Sequence, residues 1–247
     1  MEKLLSSQWA GLYSSDKAKS LYENIRRGEL SSQTEEMLKI VKENKYKSVC
    51  EIGCGSGQTV IALAIQGVKV VALDYQKESL ELVKSIAEIA GSAVVKNIEV
   101  VCCDAQNELP FQENQFDAIY HAGLLEHYTN EERVNMLALW KKYCKEMISM
   151  VPNGASVAYR YGKEKKIKNG TWSYGIENII YTQVLEFINA GLTVDAEYTI
   201  GLMNSLNFLE NKNFLKKAMK RLWEEKFLED DCHQGYLLVT RGRKIAD

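Results

Sequence analysis

The sequence predicts an α/β fold in which a mostly parallel sheet carries helices on both faces. Short apolar runs alternate along the chain with segments whose apolar residues recur every three or four positions. These are the patterns of buried strands and of amphipathic helices. Strands that alternate with helices pair in parallel through right-handed crossovers. At 247 residues and 46% hydrophobic residues, the chain is long enough for one large domain of this class.

Seven strands and several helices follow from this pattern, taken in chain order. The predicted strands are residues 47–52, 68–73, 98–103, 116–120, 155–160, 193–200 and 235–240. The predicted helices are residues 17–27, 34–42, 58–66, 77–90, 131–147, 176–190 and a basic amphipathic stretch near 207–227. Helix 176–190 is predicted to end at Gly191, because glycine readily takes the left-handed conformation that closes a helix. We interpret residues 1–34 as a helical cap and residues 35–247 as the main domain.

The segment at residues 47–57, Lys-Ser-Val-Cys-Glu-Ile-Gly-Cys-Gly-Ser-Gly, carries the strongest functional signal. A strand that contains Glu51 leads into Gly53, Gly55 and Gly57, and the helical pattern starts directly afterwards. Glycine permits a sharp turn and the close approach of a ligand. The start of the following helix offers free N–H groups and the positive end of its dipole. We therefore interpret this loop as a site for a nucleotide-like cofactor.

The spacing of the glycines separates the possible cofactors. A dinucleotide fingerprint needs its third glycine at position 58, which is Gln58. A phosphate-binding P-loop needs Gly-Lys-Ser/Thr, and no lysine follows these glycines. Glu51, two residues before the first glycine, would repel a pyrophosphate, whereas it suits a ligand that carries an amino group and a sulfonium.

At these residues the chain resembles the class I S-adenosylmethionine (SAM)-dependent methyltransferases, whose first motif is Asp/Glu-x-Gly-x-Gly-x-Gly. The resemblance implies a Rossmann-like, seven-stranded, mostly parallel sheet with an antiparallel C-terminal end. It covers residues 35–242 in element order, whereas only 49–57, 74, 104 and 116–127 match as motifs. It also implies that the protein is an enzyme with SAM as cofactor and S-adenosylhomocysteine (SAH) as product.

The resemblance assigns cofactor contacts to the carboxyl ends of the strands, where ligands of parallel sheets bind. Asp74 would hold the ribose hydroxyls, with Tyr75 against the adenine. Asp104 would accept a hydrogen bond from the adenine amine, with the backbone at Ala105 beside the ring. The alternative for Asp74 is an ordinary turn or helix-cap aspartate, and the alternative for Asp104 is an ordinary loop aspartate.

The resemblance implies two further contacts with the cofactor, at Glu51 and at His121. Glu51 would hold the SAM amino group, directly or through water; its alternative role is an ordinary partner of a helix dipole, and the two roles do not exclude each other. The backbone at His121, where the fourth strand ends, would pass beneath the methionine portion of SAM. The predicted cofactor-binding residues are Glu51, Gly53, Cys54, Gly55, Gly57, Asp74, Tyr75, Asp104, Ala105 and His121.

His127 is the candidate general base. Residues 124–128, Leu-Leu-Glu-His-Tyr, resemble the Leu-Glu-His segment of many small-molecule methyltransferases, in which the histidine faces the substrate. Imidazole titrates near neutral pH and suits this role. The alternative is a structural histidine packed against the sheet, and Glu126 would either orient it or face solvent. Residues 121–124 lack the Asn/Asp-Pro-Pro-Tyr motif of amino-methyltransferases, which argues against methylation of bases or amides.

Two regions are predicted to determine the acceptor. One is the N-terminal cap with Trp9 and Tyr13, and the other is residues 160–181, with Arg160 and Tyr174 as candidate catalytic-site residues. Aromatic and basic side chains together suit an anionic or ring-shaped substrate. The alternative for residues 160–181 is a solvated loop with a hydrophobic anchor.

Charge and composition favour a small-molecule acceptor over nucleic acid. The formal net charge of −2 provides no general attraction to nucleic acid or to anionic membranes. RNA or protein methylation is one alternative, because a basic stretch lies in the C-terminal part of the chain, although acidic residues follow it and offset its charge. A non-catalytic SAM-binding protein is the second alternative. The basic residues are Lys212, Lys216, Lys217, Lys220 and Arg221, and the acidic ones are Glu224, Glu225, Glu229, Asp230 and Asp231.

The six cysteines do not predict a zinc site, because none forms a Cys-x-x-Cys pair and no Cys/His cluster has zinc-like spacing. We therefore predict no metal and interpret the cysteines as reduced side chains. A soft-metal site from Cys54, Cys102 and Cys103 is the alternative. The N-terminal residues lack a signal-peptide pattern, and no apolar run is long enough to span a membrane, so a cytoplasmic location is expected.

Overall fold

A computed structural model describes residues 17–209, 214–224 and 233–245 of the chain. Its strands are β1 (Ser48–Ile52), β2 (Lys69–Asp74), β3 (Ile98–Cys102), β4 (Phe116–Ala122), β5 (Cys144–Pro152), β6 (Ala196–Ile200) and β7 (Leu237–Arg243). Its α-helices are α1 (Ala18–Arg26), α2 (Ser32–Asn44), α3 (Gln58–Ile65), α4 (Lys77–Ala90), α5 (Ser92–Val95), α6 (Asn130–Trp140), α7 (Val157–Lys168), α8 (Val184–Asn189), α9 (Leu202–Leu206) and α10 (Phe214–Glu224). Short 3₁₀ turns cover Leu125–His127 and Lys141–Tyr143.

The strands form one seven-stranded sheet in the order β3-β2-β1-β4-β5-β7-β6. Strands β1 to β5 pair in parallel, whereas β7 is antiparallel to both β5 and β6. The strand order reverses beside β1, which is where a parallel sheet opens a crevice for a ligand. This arrangement confirms the predicted fold class, including the antiparallel end.

Alternation along the strands divides the core into two layers. In β1, Val49 belongs to the apolar cluster under α1 to α4, whereas Cys50 and Ile52 belong to the cluster under α6 and α8. Successive side chains of a strand point to opposite faces, so a central strand buries both sets. The sheet is therefore covered by helices on both faces, as predicted.

The described N-terminal helices pack on the first layer and are tied to the glycine loop. α1 lies against α4, and α2 lies against α3. The side chain of Gln58, the first residue of α3, accepts from the Ser31 backbone N–H at 2.9 Å and from the Thr34 hydroxyl at 3.1 Å. Thus the residue that excludes a dinucleotide fingerprint fastens α2 to the start of α3.

Residues 131–168 differ from the prediction. The helix ends at Trp140 instead of 147, and β5 runs over Cys144–Pro152. The predicted strand 155–160 overlaps the first turn of α7, which begins at Val157. Strand β5 is buried on both faces from Glu146 to Pro152, so its apolar residues do not alternate with polar ones as they do in a strand with one exposed face. In α7, Gly162 allows close packing, because a Cβ there would lie 2.4 Å from the Phe208 carbonyl oxygen.

The later helices are shorter than predicted. Helix 176–190 is reduced to Val184–Asn189, although Gly191 follows it with φ +75° as expected for its closing residue. The stretch near 207–227 contains α10, while residues 202–206 form the separate short helix α9. Within the described ranges, we find no helix that combines the length and apolarity needed to cross a membrane.

Candidate functional site

A cavity of about 270 Å³ opens at the carboxyl ends of β1, β2, β3 and β4. This is the edge where the strand order reverses, as expected for the ligand crevice of a parallel sheet. The lining residues are Ile52, Gly53, Gly55, Leu73, Asp74, Tyr75, Gln76, Cys103, Asp104, Ala105, Gln106, Gly123, Leu124, His127 and Tyr128.

The glycine loop follows β1 with all three glycines in the left-handed region. Gly53, Gly55 and Gly57 have φ values of +71°, +50° and +70°. A Cβ at Gly57 would also lie 2.4 Å from Cγ2 of Val83, so this position requires glycine for space as well as conformation. The Gly53 N–H donates to the Leu73 carbonyl at 2.8 Å, which fixes the loop against β2.

Asp74, at the end of β2, is 6% exposed and organises the loop around it. One carboxylate oxygen accepts from the Gly55 N–H at 3.1 Å, and the other accepts from the Gln76 N–H at 2.9 Å. Burial raises the pKa of Asp74, while these backbone N–H groups oppose that rise. A carboxylate has about four lone-pair positions, so this one retains acceptor capacity toward the cavity.

Glu51 lies beneath the glycine loop, outside the cavity lining. It accepts a hydrogen bond from the Tyr120 hydroxyl at 2.9 Å. Burial raises the pKa of Glu51 to about 8, and the nearby negative charge of Asp74 adds to the rise. A bound cation close to this carboxyl would favour its ionised form, which suits the predicted partner, an amino group.

Two tripeptides of the form Asp-x-Gln follow β2 and β3 and take the same turn. As Asp74 accepts from Gln76, so Asp104 accepts from the Gln106 backbone N–H at 3.0 Å. Asp104 is exposed at the cavity edge, and the carbonyl of Ala105 accepts from the Trp140 indole N–H at 2.8 Å. These Asx turns present both aspartates, with Tyr75 between them, along one side of the cavity.

His127 lines the cavity from the turn after β4, and in the sheet β4 lies on the other side of β1 from β2 and β3. Its Nδ1 is 2.7 Å from the Ile176 carbonyl oxygen, which can only accept, so Nδ1 carries the proton in this contact. In the neutral ring, Nε2 is then the basic nitrogen. Glu126 is only 2% exposed, so it does not face solvent, and its Oε1 lies 3.9 Å from Nε2.

Several predicted residues lie outside the cavity lining. Arg160 is on α7, where it donates to the Tyr181 hydroxyl, and Tyr174 is 46% exposed against Trp172. The predicted strand that includes Arg160, residues 155–160, is wrong, because α7 occupies Val157–Lys168. Trp9 and Tyr13 lie outside the described residues.

His121 and Cys54 are buried rather than presented to the cavity. The His121 side chain projects from β4 toward Trp140, and its Nε2 is 2.7 Å from the Ser149 hydroxyl. Burial lowers the pKa of His121 to about 3 and keeps the ring neutral. The Cys54 sulfur lies 4.0 Å from an oxygen of Asp74. For β4, Gly123 and Leu124 supply the cavity wall where His121 was predicted.

The sequence interpretation missed Gln76, Gln106 and Tyr128 as lining residues. The repeated Asp-x-Gln spacing at the ends of β2 and β3 was the available signal for the two glutamines. Tyr128 follows His127 directly, and burial raises the pKa of its hydroxyl to about 12. The residues present fit SAM, because left-handed glycines, a buried carboxylate with spare acceptor positions and a flat tyrosine ring surround one cavity.

Comparison with known proteins agrees with this geometry. Residues 49–147, from β1 into β5, match the family model of a methyltransferase domain. The matched segment contains the glycine loop and every residue of the cavity lining. The match supports the predicted enzyme class, a SAM-dependent methyltransferase, over these residues, and it agrees with SAM as the cofactor.

Two curated relatives are tRNA-modifying proteins. The chain is 27% identical over 114 residues to tRNA N(3)-methylcytidine methyltransferase trm140 of Schizosaccharomyces pombe, covering 39% of this chain and 36% of that protein. It is 29% identical over 119 residues to probable tRNA methyltransferase 9B of Bos taurus, covering 48% and 22%. The chain thus spans about a third or less of the length of these relatives.

Solved structures share the fold at low identity. Magnesium protoporphyrin IX methyltransferase (ChlM) from Synechocystis PCC 6803 with bound SAH has a TM-score of 0.57 at 15% identity, covering 86% of this chain and 82% of that chain. The methyltransferase domain of bacterial CtHen1-CN has a TM-score of 0.59 at 14% identity, covering 85% and 97%. At these identities the likeness shows a Rossmann-like methyltransferase fold.

Proposed function

We propose that this protein transfers a methyl group from SAM to an oxygen, nitrogen or carbon atom of a small-molecule acceptor. The observation that carries the proposal is that one cavity joins two sets of groups. The glycine loop and Asp74 fit the cofactor on one side, and the His127 imidazole borders the other. An in-line displacement needs the donor and the acceptor aligned in one water-poor space.

The cofactor would be held by the groups at the ends of β1, β2 and β3. Asp74 would accept from the ribose hydroxyls, Asp104 would accept from the adenine amine, and Glu51 would stabilise the amino group. When bound, SAM supplies a methyl carbon activated by its sulfonium. Gly53 and Gly55 let the backbone of the loop come close to the cofactor, because they carry no Cβ.

The acceptor would enter beside His127. Because Nδ1 donates to the Ile176 carbonyl, Nε2 is the nitrogen that can take a proton from an acceptor hydroxyl or amine. A base positioned in this way contributes about 10²- to 10⁴-fold to a rate. Loss of the base by His127→Asn would therefore lower the methyl-transfer rate while SAM affinity stays within about twofold.

The segment around residue 178 is fastened beside His127, which supports a small acceptor. Asn178 donates from its side-chain amide to the carbonyls of Glu126, at 3.0 Å, and Tyr128, at 2.8 Å. Its backbone N–H also donates to the Glu126 carbonyl at 2.7 Å. The chain around residue 178 is thereby held against the turn that carries His127, which favours compact acceptors.

Calorimetric titration with SAM and SAH tests the cofactor assignment. We expect roughly micromolar binding, at least tenfold weaker in Asp74→Asn, because that variant loses one charged acceptor facing the ribose. Asp195→Asn, an aspartate before β6, is the matched control and should bind as the wild type does. A well-folded protein that binds neither SAM nor SAH would overturn the proposal.

Methylation of tRNA is the second candidate function. It is favoured by the two curated relatives and by four basic residues on α10. They are Lys216, Lys217, Lys220 and Arg221, whereas Lys212 and the acidic residues 225 and 229–231 lie outside the described residues.

Filter binding to total tRNA at rising salt tests this candidate, since phosphate contacts weaken steeply with salt. The double variant Lys217→Glu/Lys220→Glu should abolish retention at low salt, whereas Lys84→Glu/Lys96→Glu should not. Absence of retention at low salt in the wild type would reject tRNA as the substrate.

A further inference from the structure

Three potential metal ligands converge beside the cavity: Glu126, His127 and Glu177. One carboxylate oxygen or ring nitrogen from each lies within 4.8 Å of the other two. Ligand atoms about 2.0–2.2 Å from a divalent ion lie at most roughly 4.4 Å apart across it. Small side-chain rotations would therefore close these three groups around one ion.

The orientation of His127 matches that of a metal ligand. A metal-binding histidine generally donates its other ring N–H to a carboxylate or a backbone carbonyl, which fixes the tautomer. Here Nδ1 donates to the Ile176 carbonyl at 2.7 Å. The Nε2 lone pair is then on the side of Glu126, whose Oε1 is 3.9 Å away.

Glu126 provides an independent sign that a ligand belongs here. It is 98% buried, and within the described part of the chain its Oε2 has no hydrogen-bond partner. Buried acceptors are nearly always paired, because an unpaired one loses its solvation without compensation. Burial, with the negative charge of Glu177 nearby, raises the pKa of Glu126 to about 8.

The charges around the cluster are unequal. Glu177 accepts from the Lys163 ammonium at 2.6 Å and from the Tyr159 hydroxyl. Arg133, the other nearby cation, already pairs with Glu186 at 2.6 Å. Among the described side chains, Lys163 is therefore the close cation that these two carboxyl groups share, and a bound divalent ion would balance the ionised form of Glu126.

We propose that Glu126, His127 and Glu177 bind a divalent metal ion of the kind that accepts mixed nitrogen and oxygen ligands, such as Mn²⁺, Co²⁺ or Zn²⁺. Imidazole and carboxylate together suit these ions. The sequence had indicated no metal, because the ligands come from segments about fifty residues apart and no spacing motif joins them.

One consequence rests on the proposed function. An ion at this position would contact an acceptor hydroxyl at the His127 end of the cavity and lower its pKa, and the hydroxyl proton would leave to solvent. In the metal-loaded protein, His127 would then be a ligand and not the base. Metal binding is measured without SAM or an acceptor, so its test does not depend on the test of the proposed methyl transfer.

Titration of the chelator-treated full chain with Co²⁺ tests the site, followed by its visible absorption bands and by calorimetry. We expect one saturable site. Glu126→Gln and His127→Asn should each weaken Co²⁺ binding at least tenfold, since each removes a ligand atom. Glu131→Gln, an exposed carboxylate of α6, and His233→Asn, an exposed imidazole, are the matched controls and should leave the affinity unchanged.

Lys163→Met gives a prediction with the opposite sign. Removing the ammonium frees the Glu177 carboxylate, so Co²⁺ should bind more tightly than in the wild type. Binding that is absent at millimolar Co²⁺, or that persists unchanged in Glu126→Gln and His127→Asn, would overturn the proposal. Because Glu126→Gln replaces the carboxyl with a neutral group of the same shape, we expect it to fold, which its SAM affinity and melting temperature verify.

Discussion

The two ends of the cavity are built in different ways. At the cofactor end, Asp74 is held by Gln76, two residues away, and by Gly55 on the adjacent strand end. At the acceptor end, His127 and Glu126 are held by residues 176 and 178, about fifty positions further along the chain. The cofactor end is specified by local turns, whereas the acceptor end exists only after distant segments have packed.

The buried carboxylates at the two ends differ in the same sense. Both oxygens of Asp74 accept backbone hydrogen bonds, and Glu51 is bonded to Tyr120. Glu126 retains an oxygen without a partner among the described residues. A satisfied site can be complete before its ligand arrives, whereas an unsatisfied one indicates a missing component.

The largest effect is expected at Gly57. Gly57→Ala combines left-handed strain with a contact of 2.4 Å to Val83, so we expect a loss of about 3 kcal/mol in unfolding free energy and loss of SAM binding. Gly67→Ala is the matched control, since its φ is +82° and a Cβ there meets nothing within 4 Å. The unfolding free energy of this control should fall by only about 1 kcal/mol, which is the cost of the left-handed strain. If chemical denaturation showed equal losses of unfolding free energy in Gly57→Ala and Gly67→Ala, the contact with Val83 would not be what requires glycine in the loop.

The second effect is a pH dependence at Glu51. Its pKa is raised from 4.5 to about 8, so on raising the pH the unfolded state ionises first and the folded state loses stability between those values. Relative to Glu51→Gln, the wild type should lose roughly 2 kcal/mol between pH 5 and pH 7. Saturating SAM should diminish this difference, because a nearby ammonium favours the ionised carboxyl. A constant difference across this range would refute the burial argument.

The third effect is expected at Asn178, in the acceptor end. Asn178→Ala removes two side-chain hydrogen bonds and should lower the unfolding free energy by about 1 kcal/mol. Hydrogen exchange should accelerate at residues 174–181, while SAM affinity stays within twofold. Asn97→Ala, which removes a bond to the Ala64 carbonyl, is the control and should leave exchange at 174–181 unchanged. A large loss of SAM affinity in Asn178→Ala would mean that the two ends are not separable.

The smallest effect is expected at Arg160. Its guanidinium contacts the exposed Tyr181 and lies outside the cavity lining, so Arg160→Ala should change stability by less than about 0.5 kcal/mol. Calorimetry should find SAM affinity within twofold of the wild type. A tenfold change would restore the sequence-based assignment of this residue to the site.

The same contrast explains what the sequence could predict. β1, the glycine loop and Asp74 have local signatures, namely a short apolar strand, a glycine spacing and an acid at the next strand end. β5 and α7 were misassigned because Met147–Val151 is buried on both faces, and the aromatic residues of α7 resemble a strand. The proximity of Glu177 to Glu126 depends on tertiary packing, so the spacing of these residues in the sequence does not predict it.

Gln58 links the N-terminal helices to cofactor chemistry from outside the cavity. Its amide bonds Ser31 and Thr34 on one side while it begins the helix that follows the glycine loop. Energetic coupling between two binding events is reciprocal, so an ordered glycine loop and a docked α2 stabilise each other to the same extent. A protein or peptide that binds residues 17–44 would therefore change the affinity for SAM without contacting the cavity.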